Sequence, residues 1–586
     1  MLKLIAVSLL FATLCGAQEG SRVFIASCLQ CHDPNAGSRA PSPAVLAEMP
    51  WQAILTALES GAMKTQGDAL SHDDRVAVAR YLGKEGPAEL TEMSGFCAAD
   101  RKPAATTKAW NGWGADLANT RYQPASSGGL TAADLPRLKL KWAFGFPNTR
   151  MAYGQPTVVN GKVYSGSNDG TVYALDAETG CIYWRSQAGA MVRSAVIVGP
   201  DGRVYFGDLE SNFYALDGDT GEIIWQKKLD NQAYTRITGT AKLHAGRLYV
   251  PITSQEENAG ANKQYSCCTF RGNLVALKAS DGSEIWRTYT TPEPKPTWKN
   301  EAGVQYYGPS GATIWSSPTL DLKRNLVYVS TGNGYSDPNL DTADAVIAMD
   351  METGEIRWSR QTAPDMFNWN CMGRNAGGGN CPENFGQDVD LGGSPVLADV
   401  GDGRELLFVG QKTAEVHAMD PDQGGKILWS AKFGQGGPGG GIQWGIAFAD
   451  GLVFAGLGES VRAEPEKGGG MYAFHPLTGE VAWTTPAPVP ACLGQRGCSV
   501  AQKAPPSAVP GAVFSGSMAG NLMAYDSKTG KIIWSFDAAK AFETVNGIEA
   551  AGGSFNATGP TIANGMLYVN SGSSLPGNVL LAFGLE

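Results

Sequence analysis

The 586-residue sequence is poor in charge and in long apolar runs. Only 17% of its residues are Asp, Glu, Lys or Arg, and the net charge is −10. No stretch gathers Lys and Arg into a basic stripe, which argues against a nucleic-acid partner. The acidic excess reads as a solvated surface. Beyond the first seventeen residues no run of ~20 apolar side chains occurs, so no transmembrane segment is expected.

Glycine, by contrast, is abundant at 75 residues. High Gly and low charge suit a turn-rich, all-β protein. Seven copies of one segment carry much of it. The first clear copy runs from Gly170 to Trp184: an alternating apolar run, Asp176, a Thr179-Gly180 turn, then a second run. The turn glycines are Gly180, Gly221, Gly282, Gly354, Gly425, Gly479 and Gly530. Four residues after each stands a tryptophan: Trp184, Trp225, Trp286, Trp358, Trp429, Trp483 and Trp534. Period-2 alternation around a Gly turn predicts a hairpin whose Trp packs on the next unit. Spacings of 41 to 72 residues fit four-stranded propeller blades. Trp142 supplies an eighth blade tryptophan. The terminal run Asn578 to Phe583 matches the strand before the turn in the other copies, so both chain ends should complete the last blade. The expected fold is an all-β eight-bladed β-propeller over 109–586, preceded by a small all-α domain.

Residues 1–17 read as a secretory signal peptide: Lys3, an apolar core, then small residues ending at Ala17. Cys15 leaves lipidation open, although Leu14 is a poor residue before a lipidated Cys. A periplasmic location follows. Without Cys15, Cys28 and Cys31, eight cysteines remain, an even number in an exported chain. Sequence proximity favours Cys371–Cys381, Cys492–Cys498 and Cys267–Cys268, and elimination leaves Cys97–Cys181.

Cys28-Leu-Gln-Cys31-His32 spells the attachment signature of haem c, with His32 as an axial iron ligand. No second Cys/His pair lies nearby to make a zinc site instead. The sixth ligand should be a soft donor further on. Met63, between glycines and ahead of a helical run capped by Ser71, is the candidate; Met49 and Met93 are its rivals, and His72 reads as an exposed first-turn residue. A thioether ligand raises the iron potential, so the module over 18–83, a small all-α cytochrome c domain, is built to accept electrons. A linker rich in Pro, Ala and Thr follows over 84–108.

The repeats, together with Asp116-Leu-Ala-Asn-Thr-Arg-Tyr-Gln-Pro124, resemble the pyrroloquinoline quinone (PQQ) dependent alcohol dehydrogenases. The haem module and Ser266-Cys-Cys-Thr-Phe-Arg-Gly272 narrow the likeness to the cytochrome-type polyvinyl alcohol dehydrogenases. The resemblance implies PQQ in the propeller channel over Ca2+, a lanthanide being the other possibility. Trp315 is then the floor under the quinone and Thr313 a contact. Arg193 meets the cofactor, Lys412 lies near its reactive oxygens, and Trp444 near the ring edge. Asn333 and either Glu257 or its neighbour Glu256 bind the metal. The general base is less direct. One alignment puts Asn368 there, and an amide cannot take a proton. Treating 368–387 as an insertion puts Asp388 there instead, with Asp390, on the same strand face by period 2, as an additional metal ligand. Tyr153 stands where many relatives have a cofactor-binding Glu.

The sequence therefore implies an alcohol oxidoreductase. Its electrons pass to the fused haem and then to an external periplasmic acceptor such as a soluble cytochrome. The rival readings are a non-catalytic haem-bearing propeller scaffold and a PQQ dehydrogenase for aldoses or aldehydes.

Overall fold

A computed structural model describes residues 19–33, 40–47, 49, 51–59, 63–84, 93–260, 262–366, 386–460, 464–495 and 497–586. Eight antiparallel sheets form the ring, seven of them four-stranded and one, which includes the short strand Thr235–Arg236, five-stranded. Blade 1 shows the pattern: Thr157–Val159, Lys162–Gly166, Thr171–Asp176 and Ile182–Gln187 pair in that order. The middle strands are buried along their whole length, while the fourth alternates between buried and exposed positions.

The repeated Asp, Gly and Trp each have a structural task. Asp176 Oδ1 accepts bonds from the Thr179 backbone N–H and hydroxyl, closing the turn. Gly180 has φ +75°, and a Cβ there would lie 2.7 Å from the Trp142 ring. Only glycine meets both demands. The same close approach recurs between Gly221 and Trp184 and between Gly530 and Trp483. Each tryptophan thus packs under the turn of the next blade. Most also donate their indole N–H to a carbonyl there, as Trp184 does to Gly218 at 3.0 Å and Trp429 to Pro476 at 2.9 Å. Trp358 packs the same way with its N–H unpartnered.

Closure follows the expected route. Leu138–Gly145, which carries Trp142, pairs with the C-terminal strand Val579–Leu585. The eighth blade therefore takes its outer strand from the beginning of the ring and its other three from the end. Trp534 reaches across the seam to the Leu138 carbonyl at 3.3 Å. Pairing the termini removes the open edges a seven-and-a-half-blade ring would expose.

Ahead of the ring, helices Trp51–Glu59 and His72–Leu82 pack around Val23, Phe24, Leu46, Ile54, Leu58 and Val78. Ser71 caps the second helix through the Asp74 N–H, as expected. The linker is less free than its composition suggests. From Met93 onward it lies on blade 1: Phe96 bridges to Ile182, Cys97 is bonded to Cys181, and Met93 is buried in the propeller core. Cys267–Cys268 and Cys492–Cys498 are also bonded. The proposed Cys371–Cys381 pair, the signal peptide and Asn368 lie outside the described residues. Among the described residues no helix is long and apolar enough to cross a membrane.

Candidate active site

In an antiparallel blade the start of the first strand and the end of the second lie at the same end of the sheet. The candidate residues occupy those two kinds of position. Arg193, Trp315, Asp388, Asp390 and Trp444 precede the first strands Ile197–Val198, Thr319–Asp321, Val396–Asp399 and Ala447–Ala449. Glu257, Asn333 and Lys412 follow the second strands Arg247–Ser254, Leu326–Ser330 and Glu405–Gln411. Residues distant in sequence thereby share one end of the channel.

Lys412 is the hub. Its side chain is buried, and Nζ donates to Asp388 Oδ1 and to Asp390 Oδ2, each at 2.6 Å. Asp388 Oδ1 also accepts from the Asn333 amide at 3.1 Å, and Asp390 Oδ1 accepts from the Asn333 backbone N–H at 2.8 Å. The expectation that both aspartates lie on one strand face is incorrect. Asp388 has φ +64° and the segment 386–395 is irregular. Asp365 ties this loop down by accepting from the Val389 N–H. The two carboxylates converge because Lys412 and Asn333 hold them, not because of strand periodicity.

Three buried oxygens in this group have no hydrogen-bond partner: Glu257 Oε2, Asn333 Oδ1 and Asp388 Oδ2. They belong to Glu257 and Asn333, expected to bind the metal, and to Asp388, expected to be the base; both oxygens of Asp390, the further expected ligand, accept hydrogen bonds. Glu256 differs sharply from its neighbour. Its carboxylate accepts from the Tyr265 hydroxyl and from the Thr269 and Phe270 N–H groups, a saturated structural anchor. Among the described residues no three His, Cys, Asp or Glu side chains meet at metal-binding spacing, so the oxygen set depends on the Asn333 amide.

Burial raises the Asp388 carboxyl to about 7; Lys412 opposes this and Asp390 adds to it. Burial likewise raises Glu257 to about 8, with Asp390 and Asp388 contributing. Burial works against the Lys412 ammonium, yet Asp390 and Asp388 outweigh it and hold the group above its ordinary value. An anionic cluster with one cation and three idle oxygens fits a hard, oxygen-ligated metal ion.

Below this cluster the Lys412 ammonium stands 5.4 Å over the centre of the Trp315 ring. Trp444 meets Trp315 edge-to-face at 5.1 Å, and the Arg193 guanidinium lies 4.4 Å over Trp444 and 5.8 Å over Tyr153. Thr313 is buried two residues before Trp315. A flat aromatic face, a buried ammonium and a guanidinium fit a planar, polyanionic quinone. Sequence reasoning overlooked Arg236, Tyr335 and Asp344, which also surround this end of the channel. Arg236 had a readable signal, a lone cation within Tyr234-Thr-Arg-Ile-Thr238.

In the helical module His32 is buried and its Nδ1 lies 2.7 Å from the Pro41 carbonyl oxygen. A carbonyl only accepts, so Nδ1 carries the proton and Nε2 keeps its lone pair for a metal. Cys28 and Cys31 are in no disulfide. Met63 packs against this module's core, as Met49 does. Met93 is buried in the propeller instead, with its sulfur 3.5 Å from the Arg185 guanidinium. These positions fit haem c held at Cys28, Cys31 and His32.

A family model described as cytochrome c oxidase, cbb3-type, subunit III matches residues 16–82. A repeat model described as outer membrane protein assembly factor BamB matches 126–369, 412–493 and 467–584. The quinohemoprotein alcohol dehydrogenase of Comamonas testosteroni has the same fold, with a TM-score of 0.61 at 20% identity over 82% of this chain and 81% of that one. Fold and site together define a PQQ-type propeller dehydrogenase fused to a c-type cytochrome module. A polyvinylalcohol dehydrogenase of a Pseudomonas species is 38% identical over 97% of this chain and 94% of the relative. That of Sphingopyxis sp. (strain 113P3) is 37% identical over 97% and 93%. The chain belongs to the polyvinylalcohol dehydrogenase family of PQQ-dependent, cytochrome-bearing oxidoreductases.

Proposed function

We propose that the protein oxidises secondary alcohols, including the hydroxyls of polyvinyl alcohol or a similar chain, at the cluster of Asp388, Asn333, Glu257 and Lys412. The observation that carries this reading is the set of unpartnered buried oxygens on Asp388 and Asn333, in the cluster that Lys412 holds, and on Glu257 within electrostatic reach of it. When bound, PQQ supplies a two-electron acceptor and the cation supplies Lewis acidity. Asp388 takes the hydroxyl proton at Oδ2, the oxygen left idle by Lys412 and Asn333. A carboxyl near 7 suits a base at neutral pH. Lys412 keeps Asp388 oriented and places positive charge where negative charge develops. Trp315 gives the cofactor a flat face, Thr313 and Trp444 border it, and Arg193 binds a carboxylate.

Glu257, Asn333 and Asp388 would hold the cation, which we assign as Ca2+; Asp390 adds the further carboxylate that would suit a lanthanide. Cys28, Cys31, His32 and Met63 would hold haem c, in a domain spanning 18–83. The linker spans 84–108 and the propeller 109–586. Residues 1–17 direct export to the periplasm, where the haem would supply a one-electron path to a soluble cytochrome.

The test is reconstitution of the full chain with PQQ and either Ca2+ or La3+, followed by dye reduction over a panel of substrates. Secondary alcohols and polyvinyl alcohol should reduce the dye. Turnover confined to aldoses or aldehydes, or absent with every substrate, would sink the proposal.

A further inference from the structure

Arg236 ends a two-residue strand paired with Ser254 and Thr253, just before Glu256 and Glu257. The residue is only 8% exposed, and its Nε has no hydrogen-bond partner. Among the described residues neither Arg236 nor Arg193 forms an ion pair. Burial lowers both below the ordinary arginine value, and Arg236 adds its like charge against Arg193. Tyr153 lies within electrostatic reach of both guanidiniums. Among carboxylates Glu257 acts most strongly on Arg236. A buried guanidinium with an idle donor beside a second, partly buried one is costly unless a further anion joins them.

We propose that Arg236 is a second carboxylate-binding residue for the quinone cofactor, closing a two-guanidinium clamp with Arg193 around Tyr153. The inference rests on the functional reading above. Tyr153, within reach of both guanidiniums, offers this wall of the site no carboxylate. Three carboxylates on PQQ supply the missing anions. A guanidinium binds a carboxylate through two parallel N–H bonds, which fixes orientation as well as charge. The clamp therefore sets which edge of the cofactor faces blades 2 and 3.

The experiment titrates full-length apo-protein with PQQ at constant Ca2+ and follows quenching of tryptophan fluorescence. Arg236→Gln should weaken PQQ binding roughly tenfold or more, the loss expected for a charge-assisted bond. Arg236→Lys, which keeps the charge, should fall between. The trimethyl ester of PQQ should bind the unmodified protein and R236Q within about twofold of each other, since its carboxylates are masked. Raising salt should weaken PQQ binding to the unmodified protein more than to R236Q. R236Q binding PQQ within about twofold of the unmodified protein overturns the clamp, as does an equal loss with the ester. Failure of the unmodified protein to bind PQQ at all instead overturns the functional reading on which it rests. Should R236Q not fold, R236K and the salt series decide: unaltered affinity in R236K together with salt-insensitive binding overturns the clamp.

Discussion

Replacing Lys412 by Met keeps the length of the side chain and removes the cation between Asp388 and Asp390. The ammonium bonds both carboxylates at 2.6 Å in a site where Asp388 is 1% exposed. Breaking a buried pair by deleting one partner costs about 3–5 kcal/mol. Proton linkage says where that cost appears. Burial has already raised the Asp388 carboxyl to about 7 in the unmodified protein. Loss of Lys412 raises it further, and each further unit costs about 1.4 kcal/mol once the pH exceeds the unmodified value. A carboxyl raised by folding leaves stability intact below its unfolded value and erodes it as pH climbs toward the folded one. The deficit of K412M should therefore be small at pH 4 and grow as pH climbs above 7. Denaturant midpoints of the apo-proteins at pH 4 and pH 9 measure it. An equal deficit at the two pH values, or none at pH 9, refutes the reasoning.

Asp388→Asn should lower kcat by about a hundredfold or more while PQQ still binds, as fluorescence titration would show. In the unmodified enzyme kcat should rise with pH through a value below about 7, because a bound cation favours the charged Asp388 carboxylate; a rate that falls over that range contradicts it. Glu257→Gln should lower Ca2+ affinity with little effect on the apo melting temperature, whereas Glu256→Gln should lower the melting temperature, since Glu256 anchors Thr269 and Phe270; calorimetry with and without Ca2+ separates the two. Met63→Ala should shift the haem absorption and lower its potential, while Met93→Ala leaves the spectrum unchanged; the spectra of the two purified variants decide.

The ring was readable because its rule is local. Gly180 and Trp142, like each later pair, repeat at fixed offsets, so blade number and closure follow from counting. The site is less legible because it forms from residues that break the repeat and meet only across blades. Trp315 and Lys412 stood out by resemblance, and their contact at 5.4 Å accords with it. The choice between Glu256 and Glu257 is invisible in sequence: only the hydrogen bonds from Tyr265, Thr269 and Phe270 distinguish the anchored carboxylate from the idle one. Period-2 reasoning failed at Asp388 and Asp390 because a left-handed residue interrupts the segment. Arg236 escaped notice because a single Arg in a strand usually reads as a solvated side chain, and its burial depends on blades 1 to 3 together.

The most direct test of the central claim is the haem spectrum after anaerobic mixing of an alcohol with the full chain loaded with PQQ and Ca2+. The account predicts reduction of the haem at Cys28, Cys31 and His32 that requires alcohol, quinone and cation together and is absent in D388N. Haem that is reduced equally fast in D388N, or that stays oxidised with every alcohol, contradicts it.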